Sequence, residues 1–291
     1  MKPRKSYTLS WPRHRLELGS RTAVMGVLNV TPDSFSDGGR FFSPEEALRQ
    51  GLRLVKEGAD ILDVGGESTR PFSDPVSEEE EVRRTVPVIE ALAEAVSVPI
   101  SIDTTKASVA KRALEAGASM INDVGALRMD PAMAEVASAF QVPLIVMHML
   151  GTPKTMQVAP DYRDLHGEIC TFLQEAIARA EQAGVPRGNI IIDPGIGFGK
   201  TVTHNLQIIG GLEAFASLDC PLLVGPSRKA FIRHLLKPEG ASDLPADHPM
   251  VEIGTHAAVA AAVLQGAHIV RVHDVAGARA TVTIIDAIRM G

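Results

Sequence analysis

Eight short apolar runs, each climbing to a polar side chain, recur along the chain. They read AVMGVLN to Asn29, ADILD to Asp63, PISID to Asp103, SMIND through Asn122, PLIVMH to His148, NIIID to Asp193, PLLVGPSR to Arg228 and HIVRVH to His273. Runs of this length, rich in Val and Ile and bounded by Pro, Gly and Asn, are the pattern of strands buried on both faces, where neither face tolerates polar groups. Parallel strands would bring all eight exits to one rim. The pattern therefore predicts a ring of Asn, Asp, His and Arg groups as the active site.

Helical segments with clear start and stop chemistry separate the runs. Ser43-Pro44-Glu45-Glu46 reads as a capping box with proline at the first helical position, and Ser77-Glu78-Glu79-Glu80 repeats the device. The run Glu78 to Glu81 is read as complementing the helix dipole. Gly58, Gly117, Gly184 and Gly266 each end a helix a few residues before the next strand. Eight strand-helix modules predict an α/β fold, a closed (β/α)8 TIM barrel, over an open doubly wound sheet. Residues 7–18, with Trp11 and the alternating Leu16 and Leu18, predict an N-terminal β-hairpin outside the repeat, plugging the bottom of the barrel. At 291 residues the chain is long by simple length arithmetic, yet barrels of about 250 residues routinely form one domain. No shift of composition marks a linker, so one domain over residues 1–291 is expected.

Bulk properties exclude several classes. The longest uncharged apolar stretch, Ala257 to Leu264, falls far short of the roughly 18 residues needed to span a membrane. The basic start MKPRKSYTLSWPRHR has no apolar core of a secretory signal, so a cytoplasmic protein with no membrane contact is expected. The sequon at Asn29 is accordingly read as accidental. Two cysteines, Cys170 and Cys220, make no disulfide framework. A net charge of −6 argues against a nucleic-acid partner, so an anionic ligand must be held by a local basic cluster.

Two constellations carry chemistry. Asp103, Asn122 and Asp193 end three runs deep among apolar neighbours, where an ionised carboxylate needs donors. A 2-amino-4-oxo-pyrimidine edge, as in guanine or a pterin, offers adjacent N–H groups of that kind; capping of the following helix is the plainer role for any one of them. The second constellation is basic: Arg70 after the second run, Ser227-Arg228-Lys229 at the seventh exit, and Arg271 with His273 on one face of the eighth. Barrels place phosphate sites at the loops after strands seven and eight. Two polar loops, NVTPDSFSDGGRFFS and GGESTRPFSDPVS, leave from the same rim and read as binding loops. GIGFGKT at Gly195–Thr201 imitates a phosphate-binding loop, but Pro194 stands where its first glycine is required. His148 reads as a structural histidine, and no Cys/His spacing indicates zinc.

The motifs GVLNVTPDSFSDGG (Gly26–Gly39), DVGGESTRP (Asp63–Pro71), SIDTTK (Ser101–Lys106), INDV (Ile121–Val124), MHMLGTPKTMQ (Met147–Gln157), DPGIGFGK (Asp193–Lys200), VGPSRK (Val224–Lys229) and RVHDV (Arg271–Val275) closely resemble those of the dihydropteroate synthases. The resemblance runs from Met25 to Val275. It implies a transferase of folate biosynthesis that joins p-aminobenzoate to 6-hydroxymethyl-7,8-dihydropterin pyrophosphate. Carried over, it assigns the pterin to Asp103, Asn122, Met147, Asp193, Phe198 and Lys229. Pyrophosphate falls to Asn29, Thr69, Arg70, Arg271 and His273, with Mg2+ on Asn29. The p-aminobenzoate side falls to Asp33, Phe35, Thr69, Arg70, Pro71, Arg228 and Lys229. Phe72 and Ala230 depart from the family pattern beside that pocket, where sulfonamides would also bind. The resemblance further implies a homodimer, with the small-residue face Ala257–Ala262 as a packing surface. A methyltetrahydrofolate-dependent methyltransferase would share barrel and pterin slot but not the SRK and RVH cations.

Overall fold

The computed structural model describes residues 4–31, 44–68, 75–152, 156 and 160–290. Eight parallel strands form the barrel: β3 (Ala23–Asn29), β4 (Ile61–Gly65), β5 (Ile100–Asp103), β6 (Met120–Asp123), β7 (Leu144–Met147), β8 (Ile190–Asp193), β9 (Leu223–Val224) and β10 (Ile269–Val272). Helices α1 (Pro44–Lys56), α2 (Glu78–Ala95), α3 (Ala107–Glu115), α4 (Met133–Phe140), α5 (Leu165–Gln182), α6 (Val202–Gly210), α7 (Ala230–Leu235), α8 (Pro249–Leu264) and α9 (Val275–Met290) wrap the outside. Seven neighbouring pairs share continuous ladders, β8 through β3 and on to β10 and β9. The ring closes at its weakest seam. There β9 is only two residues long, and a single bridge, Ile192 to Leu222, with Ile192 N–H donating to Pro221 O at 3.0 Å, joins it to β8.

Strands with both faces buried explain the unbroken apolar runs: every residue of β4 through β9 is buried. The hairpin is present as expected, β1 (Tyr7–Trp11) against β2 (His14–Leu18), and its alternation buries Leu9, Trp11, Leu16 and Leu18 in the main core. Lys5, just before it, lies over the N-terminal end, where its carbonyl accepts from the His268 ring at 3.0 Å. The four glycines at helix ends all adopt positive φ, between 93° and 114°, which is the left-handed turn that releases the chain into the next strand.

Three local expectations are corrected. The second run does not stop at Asp63: β4 continues to Gly65, which pairs with Asp103, so Asp63 lies one layer deeper, opposite Ser101, with no exposure. The fourth run continues to Asp123, whose carboxylate accepts from the N–H groups of Gly125 and Leu127 at 2.8 and 2.7 Å and braces a turn through left-handed Ala126 and Leu127. Asp123 thus braces the turn after β6. Ser77 caps α2 through Glu80 N–H, but the Glu80 carboxylate turns to Arg83 and Arg84, and Glu81 is not a solvated dipole partner. It is wholly buried and receives Lys106 at 2.6 Å, while Lys106 also donates to Glu67 at 2.5 Å. That bridge, with Arg84 donating to Gly66 O at 2.9 Å, fixes the root of the second loop. Ser43 lies outside the described residues.

Candidate active site

The inner surface of the C-terminal mouth is built around one guanidinium. Arg271, on β10, donates through Nε to Asp63 Oδ2 at 2.6 Å and through Nη2 to Asp103 Oδ2 at 2.7 Å. Asn122 donates from Nδ2 to the same Asp63 oxygen at 3.0 Å. Charges inside two apolar strands, ILDVG and IVRV, thus answer each other across the barrel. A buried ion pair of this kind is tolerated only with such hydrogen bonding. One cation cannot satisfy two buried carboxylates: Asp63 Oδ1 and Asp103 Oδ1 are shielded from solvent with no hydrogen-bond partner among the described residues. Burial pushes the Asp103 carboxyl up to about 7, Arg271 opposing and Asp63 adding to the rise. The two flanking carboxylates, outweighing its own desolvation, hold the Arg271 guanidinium above its ordinary range.

Asp193, at the end of β8, is likewise raised to about 6 by burial, against the Gly195 N–H it accepts at 2.7 Å and the fields of Lys229, Lys200 and Arg271. Beside it Val124, Met147, Met149, Met156 and Phe198 make a small apolar cluster separate from the main core. The Lys229 ammonium lies 3.8 Å from the centre of the Phe198 ring, a cation on an aromatic face. The mouth thus offers a slot with an apolar wall, a carboxylate-and-amide floor and a cation at one edge. Such a slot accepts a flat, polar heterocycle whose N–H groups reach the carboxylates.

Lys200 sits behind that wall. It is 4% exposed and donates to His148 Nδ1 and to the Phe198 carbonyl, both at 2.9 Å. Burial lowers its ammonium to about 7, and burial together with Lys200 drives the His148 imidazole far down, so that it is neutral and accepts. The lysine of the rejected phosphate-loop motif thus pins the Phe198 loop from inside, and His148 is structural as expected.

The basic side is more open. Ser227 Oγ and His273 Nδ1 lie 2.9 Å apart, joining the loop after β9 to the exit of β10. Asn29 is half-buried at the end of β3, in register with Gly65. Arg228, at φ +59°, does not turn into the mouth: its Nε donates to Glu252 Oε2 of α8 at 2.8 Å. Thr69, Arg70, Pro71, Asp33 and Phe35 lie outside the described residues. The structure therefore joins Asp103 to Arg271 directly and Asn122 to Arg271 through Asp63, groups Met147 with Phe198 and Lys229 by packing, and pairs His273 with Ser227. Two functional groups went unassigned in the sequence, Asp63 and Lys200. A charge in the middle of a doubly buried strand was the available signal for Asp63; nothing local distinguished Lys200 from a loop lysine.

Known proteins resemble this chain in sequence and fold. A family model described as pterin binding enzyme matches residues 25–273. A dihydropteroate synthase of Synechocystis is 46% identical over 270 residues, covering 93% of this chain and 91% of its own. The crystal structure of the Yersinia pestis dihydropteroate synthase with a sulfonamide drug complex superposes with a TM-score of 0.90 at 43% identity, covering 98% of this chain and 100% of that one. The Xanthomonas albilineans dihydropteroate synthase in complex with 7,8-dihydropteroate does so with a TM-score of 0.82 at 42% identity, covering 93% and 95%. The chain thus belongs to the pterin-binding enzymes and, among these transferases, to the dihydropteroate synthase family.

Proposed function

We propose that the mouth binds 6-hydroxymethyl-7,8-dihydropterin pyrophosphate and p-aminobenzoate and joins them into 7,8-dihydropteroate. The C–O bond to pyrophosphate breaks, the arylamine nitrogen bonds the freed methylene and loses a proton, and pyrophosphate departs. The observation that carries the reading is the shielded, unpartnered Asp103 Oδ1 beside Asn122 and Asp193, an acceptor set matched to the amino and ring N–H groups of a pterin. Met147 and Phe198 wall the ring, and Lys229 donates to its oxygen and N5 side.

Two of the Arg271 bonds go to carboxylates, and its further N–H donors, with His273, serve the phosphate oxygens. Thr69 and Arg70 join them from the second loop. Asp33, Phe35 and Pro71 complete the p-aminobenzoate side. No general base is required, because an arylamine is neutral at physiological pH. Asn29 suits Mg2+: its amide oxygen is a hard donor at a half-exposed position, and this ion keeps several waters and few protein ligands. When bound there it would neutralise charge on the pyrophosphate.

The whole chain, residues 1–291, acts as one catalytic domain. No helix among the described residues is long and apolar enough to cross a membrane, in keeping with a cytoplasmic enzyme. A homodimer is supported by an exposed apolar stripe on α8, Met250, Ile253, Ala257 and Leu264, beside Ile284 and Ile288 of α9. Ile253→Glu is expected to shift the sedimentation coefficient to that of a monomer; an unchanged value assigns the stripe another role. Incubation with dihydropterin pyrophosphate, p-aminobenzoate and Mg2+ tests the activity, with dihydropteroate and free pyrophosphate as products. Pterin binding without release of pyrophosphate would make the chain a binding protein only.

A further inference from the structure

We propose that Glu252, His256 and Asp274 form a second metal site, for a divalent transition ion of the Zn2+ type, on the outer rim of the mouth where α8 meets the start of α9. Glu252 and His256 stand one helical turn apart on α8, so they share a face. Asp274 follows His273 directly and precedes α9. His256 Nε2 lies 3.1 Å from Asp274 Oδ2 and 3.9 Å from Glu252 Oε1, and the three ligand atoms all lie within 4.8 Å of one another. Two donors bound at about 2.1 Å to one tetrahedral ion stand roughly 3 to 4 Å apart, so the group is close to that geometry as it is.

Each carboxylate spends one oxygen on a fixed donor and turns the other toward this point. Arg228 Nε holds Glu252 Oε2 at 2.8 Å, and the Gly277 N–H holds Asp274 Oδ1 at 3.1 Å. Partners of this second kind orient ligands in metal sites generally. The atoms left over, Glu252 Oε1 and His256 Nε2, are shielded from solvent with no hydrogen-bond partner among the described residues. Room for the group depends on Gly277. A Cβ there would lie 2.3 Å from His256 Cε1 and 2.4 Å from Asp274 Oδ2, so any side chain would displace the imidazole or the carboxylate.

An imidazole nitrogen with two carboxylate oxygens suits Zn2+, Co2+ or Ni2+, whereas Mg2+ favours oxygen alone. The site is therefore distinct in chemistry from the ion on the pyrophosphate. Its side chains are 19–31% exposed, which gives an ion access from solvent. Bound metal would tie α8 to the segment after β10, next to His273 and to the Glu252 carboxylate that holds Arg228.

Chelator-treated, full-length protein titrated with Zn2+ in excess Mg2+ tests this by calorimetry, with thermal unfolding followed alongside. The expected result is one saturable site, a rise in Tm on adding Zn2+, and an affinity lower in His256→Gln by at least the roughly 10- to 100-fold that losing a mere orienting partner costs. Co2+ is expected to give visible d–d bands that His256→Gln abolishes. Glu252→Gln gives the same comparison if the first variant is unstable. Zn2+ binding of equal stoichiometry and strength in the parent protein and His256→Gln, or no saturable binding to the parent protein, overturns the proposal.

Discussion

At the N-terminal end of the barrel Asp60 accepts from both nitrogens of Arg21 at 2.8 and 3.0 Å, from Val24 N–H at 2.8 Å and from Arg279, and these bonds outweigh burial and hold its carboxyl below the ordinary range. Asp286 accepts from the N–H and hydroxyl of Thr22 and from Arg4. At the C-terminal end, Asp103 and Asp193 bury the same chemistry and are pushed up to about 7 and about 6, with one Asp103 oxygen unpartnered. The floor satisfies its carboxylates completely. The mouth leaves them short of donors by about as much as a ligand could supply. An aspartate that is fully paired by its own chain works for stability, and one left short of donors is held ready for a partner from solution.

The floor gives the largest expected effect. Asp286→Ala would take the only carboxylate partner among the described residues from the nearly buried Arg4 guanidinium, its side chain 3% exposed and left with carbonyl and hydroxyl acceptors, and would strand both Thr22 donors. We expect a loss of about 3–5 kcal/mol in urea unfolding with unaltered pterin affinity in the folded fraction. Stability within 1 kcal/mol of the parent, on the order of a surface substitution, would erase the distinction between the two ends. Asp103→Asn tests the other end. Arg271 keeps Asp63, so the unfolding midpoint should hold or rise, while pterin affinity falls by about 1.5–3 kcal/mol, roughly ten- to hundredfold, on calorimetry. A variant that loses stability and keeps its affinity would make Asp103 a structural residue.

The same contrast separates what was legible in the sequence from what was not. Period and length gave the eight strands, because doubly buried strands must be apolar throughout, and the polar exits at Asp103, Asn122 and Asp193 stood out against that background. Asp63 and Arg271 could each be seen in its own strand, yet their bond joins strands 208 residues apart, and only barrel closure brings them together. Glu81 was hidden by its acidic neighbours: composition cannot tell which of four glutamates in a first turn faces inward to Lys106. Arg228 was misdirected by its motif, since a left-handed backbone at that residue sends the side chain to Glu252 and away from Lys229's side.

Titration offers a finer test. Burial raises the Asp193 carboxyl from an ordinary 3.8 to about 6, so between those values the native protein keeps a proton that the unfolded chain has released. The stability this gives is fully present below the unfolded value and lost as pH rises through about 6. Pterin binding runs the other way: its N–H donors favour the ionised carboxylates, so affinity should rise with pH through about 6, where Asp193 ionises, to a plateau above about 7, where Asp103 has ionised too. Below it, each pH unit costs at most about tenfold, or about 1.4 kcal/mol, for each proton released. Dissociation constants measured across this range in Asp193→Asn should lose the part of the slope centred near 6 and keep the part near 7 that belongs to Asp103; an unchanged slope below 6 would move the titration to another group.

The smallest effect is expected where the heterocycle slot meets the basic side of the mouth. Lys229 lies over the Phe198 ring, and its stem packs on Gly197, where a Cβ would come within 2.8 Å of Lys229 Cδ. Phe198→Leu removes the aromatic face while keeping an apolar wall against Met147 and Met149. A cation over an aromatic ring at a partly exposed site contributes about 0.5–1 kcal/mol, which corresponds to a rise in pterin KM of roughly two- to fivefold. Because Lys229 keeps its stem contacts and its place at the start of α7, kcat should change little. Steady-state kinetics separate the outcomes: a raised KM alone places the ring among the groups that orient Lys229. A fall in kcat larger than the rise in KM would instead mean that Phe198 shapes the position of the reacting methylene, and the slot would then have to be counted with the groups that act on the departing pyrophosphate.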